Sequence, residues 1–411
     1  MESVKPDDIT HWIQNGDHSG MEFKRDDIRP EQLAKEIVAF LNFKGGRILL
    51  GVDDDGTIRG IQRPNLQEWI MNICTDRVHP RIIPYYQEVE TDGGRIAVID
   101  VDMGISKPYV LRHKGSETIY IRVGSTSRLA TGEEQMRLFQ SGGILHVEIL
   151  PAPGSRFKDL DARRLADYFG RVRSIDPLPD SEADWIRLLI NMEFMTRREG
   201  GDSVCTIAGL VLFGRRPRRF LRQAGLSWVV FPGADKDYDT RDRATLDGPL
   251  VGLWDENGER YEDGLLELLM GRMRQHASRE TLSEDHLTRT IRWDYAPEAV
   301  REAAINAFVH RDWTRPTDVE AALYTDRLEI VSPGPLPNHV TVERMKQGLR
   351  IPRNPILIQT LKDYGYVEHM GMGVRNKIIA GMKKHNGTEP DFIADDLQLR
   401  VVLFKDRPAH V

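Results

Sequence analysis

The chain has only two cysteines in 411 residues, Cys74 and Cys205. They stand far apart and outside any Cys-x-x-Cys spacing, so neither a thiolate zinc site nor a disulfide framework is expected. No apolar run approaches the roughly 20 residues that cross a bilayer. The first residues, MESVKPDDITHWIQ, lack the basic-then-apolar layout of a signal peptide. These absences lead to the expectation of a cytoplasmic protein with no membrane partner. Positive charge is not in excess either: 57 Lys and Arg face 63 Asp and Glu, a formal net charge of -6. Binding to nucleic acid therefore has to come from local basic patches, not from the chain as a whole. The sequence also lacks internal repeats and low-complexity tracts.

What is present is an ordinary globular composition, 40% hydrophobic and 29% charged, with a mean hydropathy of -0.44. A sizeable core is expected and wholesale disorder is not. At ~150 residues per domain the length allows two or three domains. The periodicity indicates an α/β (α+β) chain. RPEQLAKEIVAFLNFKGG carries Leu33, Ile37 and Phe40 at helical spacing, with Pro30 in the first turn and Gly45-Gly46 as the stop. RILLGVDDDGTIRGI reads as strand, Asp-Gly turn, strand. GRIAVIDVDM and ETIYIRVGS are further strands, and ATGEEQMRLFQSGG is a short helix with an acidic first turn. HVEILPAPGSRFKDLD reads as a linker into a second block. There DSEADWIRLLINMEFM is a helix capped by Asp180 or Ser181, and SVCTIAGLVLFG is a buried strand or a strand and helix. A last block starts with a helix at Pro297, continues through a hairpin in DVEAALYTDRLEIVSPGPLP and a helix in RNPILIQTLKDYG, and closes with the strand of DDLQLRVVLFKD. The expected domains are 1–145, 155–285 and 290–411.

In GMEFK the alternation of a strand sends Met21 and Phe23 to one face and Glu22 and Lys24 to the other. Asp17 precedes a Ser-Gly turn that can fold it back toward Glu22, and Asp53-Asp54-Asp55 follow the strand RILLGV. Carboxylates brought together raise one another's pKa unless a cation neutralises them, and hard oxygen ligands suit Mg²⁺ or Mn²⁺. Metal-bound water beside a phosphodiester is hydrolytic chemistry. The plainer alternative is a polar hairpin turn and a surface ion pair.

Taken in order, DHSGMEFKRD, IVAFLNFKGGRILLGVDDDGTIRGI and YIRVGSTSRLA resemble the Schlafen AlbA-like domain, whose pattern reads ESxxxEFK, AFANTxGGxxxxGVxD and YxRxGxxxxxA. The resemblance covers most of residues 15–140. It implies a nucleic-acid-binding domain and, from the family's nucleases, a divalent-metal carboxylate triad that cleaves structured RNA such as tRNA. The matching metal ligands are Asp17 (where the family usually has Glu), Glu22 and Asp54, with Lys24 on the scissile phosphate. Other bacterial members are DNA-binding transcriptional regulators without cleavage, and this is the alternative function. Lys24, Arg25, Lys44, Arg47 and Arg122 lie in the matched motifs and fit phosphate contacts. In the second block GRRPRRFLR places Arg215, Arg216, Arg218 and Arg219 around Pro217 and Phe220. It reads either as a grip on a nucleic-acid backbone or as a solubilising loop.

REAAINAFVHRD spaces Glu302, Asn306 and His310 at i, i+4 and i+8, a polar stripe on an otherwise apolar helix. It resembles the N-box of GHKL ATPases, in which Glu orients water and Asn holds Mg²⁺. RLEIVSPGPLP, with Gly334, and EHMGMGV, with Gly371 and Gly373, fall where that fold keeps its glycine boxes. Ser332 stands where the family's adenine-reading Asp would be, which implies relaxed base choice and doubtful hydrolysis of ATP. The whole tandem resembles bacterial ATP-binding transcriptional regulators: an AlbA-like domain, a middle α/β linker domain and a degenerate GHKL-like α/β sandwich. A homo-oligomer, by default a dimer, is the expected assembly.

Overall fold

The computed structural model describes residues 4–198, 200–255, 257, 259–282, 289–337, 340–349, 351–367 and 372–405. The chain divides into two compact units, Met1–Leu145 and His146–Val411.

The first unit is built on a sheet of order β1-β2-β5-β4. Helix α1 (Pro6–Asn15) precedes β1 (Met21–Lys24), and α2 (Pro30–Asn42) connects β1 to β2 (Gly45–Leu50). Strands β1 and β2 run parallel, with Glu22 beside Ile48 and Lys24 beside Leu50. A parallel pair needs such a crossover, and the helical period of Leu33, Ile37 and Phe40 supplies it. Helix α3 (Leu66–Asp76) leads into β3 (Val78–His79), β4 (Tyr85–Thr91) and β5 (Gly94–Asp102). Strand β5 lies antiparallel between β2 and β4. The α2 face of the sheet packs Leu33, Ile37 and Phe40 against Ile48, Leu50, Ala97 and Ile99. The opposite face packs Met21, Phe23, Leu49 and Val98 against Ile9 and Trp12 of α1. The alternation expected in GMEFK is therefore the one that forms.

Two local expectations change. Gly45 is not a helix stop but the first residue of β2, since α2 already ends at Asn42. Its φ is +79°, and a Cβ there would stand 2.6 Å from the Val101 carbonyl oxygen, so close strand approach is what requires glycine. The strand expected after the Asp-Gly turn shrinks to a single bridge, Val52 to Ile58, because β2 takes β5 as its neighbour instead. The stretch ETIYIRVGS is likewise split. Strand β6 (Val110–His113) pairs with β7 (Ser116–Thr118), and β8 (Tyr120–Val123) pairs with β9 (Thr126–Leu129). Asn42 ties the end of α2 to these strands, donating to the Tyr109 and Tyr120 carbonyls at 2.8 and 2.9 Å and accepting from Tyr109 N at 2.8 Å.

In the second unit, SVCTIAGLVLFG resolves as a strand, Ser203–Cys205, and a buried helix, Ile207–Phe213, with Thr206 as N-cap. A six-stranded sheet runs in the order Asp242–Leu246, Leu226–Val230, Val319–Leu323, Arg327–Pro333, Gln398–Phe404, Asp391–Ala394. Leu226–Val230 and Val319–Leu323 pair in parallel. Residues 155–285 and 290–411, separate in the sequence reading, thus share one sheet. The helix Pro297–Val309 is tied to that sheet where Ser332 Oγ donates to the Ala307 carbonyl at 2.8 Å. No helix among the described residues is long and apolar enough to cross a membrane.

Candidate functional site

Asp17, Glu22 and Asp54 gather around Lys24, whose ammonium binds Glu22 and lies 3.9 Å from Asp54, while the charges of both acids act on Asp17. Glu22 is 5% exposed, and each of its oxygens already has a cation: Lys24 on one, Arg122 on the other. Arg122 also donates to Glu36 at 3.3 Å and to the His18 and Met21 carbonyls at 2.9 Å. Ser127 Oγ donates to Glu36 at 2.5 Å. The hydrophilic side of β1 is thus a closed ion cluster under α2, not an open phosphate cradle. This corrects the expectation for Arg122, whose side chain is fully buried and cannot reach a ligand.

Asp17 is turned inward, accepting from Phe23 N at 2.9 Å. Burial, then the charge of Glu22, push its pKa up to about 6, against the pull of the Phe23 N–H and Lys24. Asp54 lies on the turn with its side chain 87% exposed, 3.9 Å from Lys24 Nζ. Burial lowers the Lys24 pKa, but the hydrogen bond and charge of Glu22, with Glu36 and Asp54, outweigh it and hold the ammonium above its ordinary value. Among the described residues no group of three or more His, Cys, Asp or Glu is placed to hold a metal ion. The donors Asp17, Glu22 and Asp54 do not fit Mg²⁺ or Mn²⁺ as they stand. The ammonium of Lys24 and the guanidinium of Arg122 supply the positive charge that the sequence reading assigned to a metal.

The other side of this unit holds an open groove of about 600 Å³ lined by Trp12, His18, Lys44, Arg47 and Asp100. The Arg47 guanidinium lies 3.8 Å from the centre of the Trp12 ring, and its Nε donates to Asp100 at 2.5 Å. Lys44 is exposed. Arg25 is exposed but faces Asp27 and Asp53 at 3.4 and 3.8 Å. Lys44 and Arg47 therefore share a groove, which neither Arg25 nor Arg122 lines. Sequence reasoning passed over Trp12. Its signal was the spacing of Ile9, Trp12 and Ile13, which puts the indole on the edge of the buried face of α1.

The arginine run of the second unit is divided in its roles. Arg218 Nη1 is bound to both oxygens of Asp318 at 2.7 Å, a structural pair. Arg215 donates from Nε to the Leu160 carbonyl at 3.2 Å, Arg216 is exposed, and Arg219 is 72% exposed with its guanidinium over Phe220.

The C-terminal stripe does assemble. Asn306, His310, Ser332 and Gly334 line one narrow cavity of about 70 Å³, walled otherwise by Leu336, Met345, Ile378, Phe392 and other apolar side chains. Glu302 lies behind it, 3% exposed. It accepts from Asn306 Nδ2 at 3.3 Å and has Lys377 Nζ at 4.0 Å. A Cβ on Gly373 would fall 1.8 Å from Glu302 Oε1, so glycine is what lets the loop close on that carboxylate. Gly371 lies outside the described residues. Arg353, not singled out in the sequence reading, is 6% exposed and donates to the His310 and Pro335 carbonyls at 2.9 and 2.7 Å, holding the Gly334 turn against the helix end. No lysine or arginine is among the described residues that line this cavity.

Comparison with known proteins agrees with the two regions of resemblance. Residues 17–131 match the family described as Schlafen, AlbA_2, and residues 317–403 match the family described as Putative ATP-dependent DNA helicase recG C-terminal. No curated protein matches the chain. Among solved structures, the DIP2311 protein of Corynebacterium diphtheriae is similar at 20% identity, covering 95% of this chain and 76% of that one with a TM-score of 0.45. The N-terminal domain of a putative ATP-dependent DNA helicase RecG-related protein from Nitrosomonas europaea is 23% identical, covering 31% of this chain and 95% of that one with a TM-score of 0.25. The chain thus carries a Schlafen AlbA_2 domain followed by a RecG C-terminal, ATPase-like domain.

Proposed function

We propose that the first unit binds nucleic acid through an unpaired segment, without metal-dependent cleavage, and that the C-terminal pocket takes the base of an adenine nucleotide. The observation that carries the first part is the stack of Arg47 on Trp12 in an open groove that also holds Lys44 and His18. Aromatic rings and guanidinium planes stack bases without regard to sequence, and flanking cations hold the backbone. The matched Schlafen AlbA_2 region supports the same reading. Cleavage is left out because Glu22 is committed to Lys24 and Arg122.

The second part rests on Ser332. Its hydroxyl proton goes to the Ala307 carbonyl, which leaves the oxygen an acceptor on the cavity wall. An acceptor suits the exocyclic amine of adenine and not the carbonyl of guanine. ATP, when bound, would bring the phosphate charge and Mg²⁺ chemistry of this domain class. This chain contributes a base slot bordered by Asn306 and His310, and binding is weak.

The test is fluorescence anisotropy with labelled tRNA, oligo-dT and duplex DNA, in Mn²⁺, Mg²⁺ or EDTA. Wild type is expected to bind tRNA and oligo-dT more tightly than duplex, with no metal-dependent breakage, and Trp12→Ala with Arg47→Ala to lose at least about tenfold in affinity, the scale of one lost stacking contact. Metal-dependent cleavage abolished by Glu22→Gln would overturn the binding-only reading. Calorimetry with ATP and GTP checks the pocket: ATP is expected to bind better than GTP, and Ser332→Ala to remove the difference.

A further inference from the structure

The first unit carries a second cluster of cations, on an element that neither the motifs nor the groove include. Strands β3, β6 and β7 form a small sheet in which Arg112 faces Glu117 and His113 faces Ser116. The β6–β7 connection turns at Lys114 and Gly115, both at positive φ (50° and 79°), so Lys114 sits at the tip of the hairpin. An open groove of about 440 Å³ runs beside it, lined by Arg77, Arg112, His113 and Lys114, with Asp76 and Glu117 as its acids.

The partners of these arginines set them apart. Elsewhere in the unit Arg47, Arg63, Arg95 and Arg128 are each paired with a carboxylate. Arg77 instead donates to His113 Nδ1 at 2.8 Å, and Arg112, besides Glu117 at 2.6 Å, donates to His79 Nε2 at 3.0 Å. A guanidinium has no acceptor, so in these contacts the ring nitrogen is the accepting partner. A ring nitrogen brings no full negative charge to Arg77, whereas Arg112 also has Glu117, and for either guanidinium a phosphate oxygen is a stronger partner than a ring nitrogen. Arg81 adds its charge beside His79, and neither it nor Lys114 has an ion-pair partner among the described residues. Three cations therefore line the groove against two carboxylates, and Arg81 makes a fourth nearby.

We infer that this groove is a second phosphate subsite, in which Arg77, Arg112 and Lys114 take the phosphodiester backbone of the same nucleic acid. The inference rests on the nucleic-acid reading above. Its ligand is the polymer backbone, because a partly compensated, open groove gives a single small anion too few contacts to hold it, whereas a strand already anchored elsewhere is held at high effective concentration.

The experiment is a salt titration of tRNA and oligo-dT binding by anisotropy, for wild type, Arg77→Gln/Lys114→Gln and the fully surface variant Arg81→Gln/Lys114→Gln, with circular dichroism to check folding. Each double variant is expected to flatten the slope of log K against log salt by about 1 to 2 units, as loss of one or two phosphate contacts demands. At low salt the affinity should fall about tenfold or more. Inorganic pyrophosphate at millimolar concentration is expected not to compete. Unchanged slopes in both variants, with wild type binding and Trp12→Ala impaired, would overturn this subsite and leave the main reading standing. Loss in the hairpin variants with Trp12→Ala unaffected would instead overturn the Trp12 groove. Competition by pyrophosphate would overturn the polymer assignment, and a wild type that binds neither polymer would overturn both.

Discussion

At the scale of single residues, Glu22 and Lys24 were legible as a pair, because strand alternation alone puts both on one face. What that face meets was not legible. Arg122 stands 100 residues later and reads locally as one more exposed cation in YIRVG, yet it closes the cluster of Glu22 and Glu36. Removing one partner from a buried ion cluster leaves the others uncompensated, which costs about 3–5 kcal/mol. Arg122→Ala is therefore expected to lower the unfolding free energy of the first unit by that amount in urea titration, whereas Arg25→Ala, at an exposed pair, should change it by less than about 1 kcal/mol. Asp17 gives a pH-dependent counterpart. Its folded pKa of about 6 lies above the ordinary aspartate value of 3.8, so the folded state holds the proton more tightly than the unfolded one. The resulting stability is complete below pH 3.8 and lost as pH rises through 6. Asp17→Asn can still accept from Phe23 N and carries no charge to bury. It should melt at the same temperature as wild type near pH 4 and higher than wild type at pH 8. A constant difference at all pH values would place the effect on packing instead.

At the scale of elements, the long periodic segments were the most legible: the helices at Pro30 and Pro297, the strand GRIAVIDVD and the hairpin of the last block all form where their periods indicate. The misses are at places where a partner strand decides. RILLGV pairs with β1 and β5 and leaves the segment after the turn with one bridge, and no local pattern in that segment reports the competition. Gly45 shows the same dependence. Its positive φ and its approach to Val101 come from the β2–β5 register, so glycine is needed for a reason that lies 56 residues away. Gly45→Ala is expected to cost roughly 2–5 kcal/mol, combining a left-handed backbone penalty of about 1–2 with overpacking of about 1–3 kcal/mol. Gly132→Ala, at the start of a helix with nothing within 4 Å of the new Cβ, is expected to stay within about 0.5 kcal/mol. Equal effects in denaturant unfolding would show that the register argument is wrong.

At the scale of the whole molecule, the chain divides after Leu145 into two compact units, and the second unit holds both of the blocks set apart at residues 155–285 and 290–411. The second block looked separable because a new helix start, at Pro297, follows it. The sheet shows why that cue is insufficient: Leu226–Val230 lies between Asp242–Leu246 and Val319–Leu323, and both faces of its ladder are needed. Cutting the chain at residue 285 removes four of the six strands and exposes the parallel edge of Leu226–Val230, whose Leu226, Trp228 and Val230 are buried in the intact sheet. An open apolar edge of this kind is an aggregation surface. A fragment of residues 146–285 is therefore expected to be insoluble or to lack a cooperative melting transition. Residues 1–145, whose sheet and both core faces are complete, should fold alone, unfold cooperatively in urea and keep the tRNA affinity of the full chain within about threefold, because none of the proposed contacts on Trp12, Arg47, Arg77 or Lys114 comes from elsewhere. Cooperative unfolding of 146–285 would show that the shared sheet is dispensable. A folded 1–145 fragment with affinity far below that of the full chain would move part of the nucleic-acid site to the second unit, with exposed Arg216 and Arg219 as the first residues to neutralise.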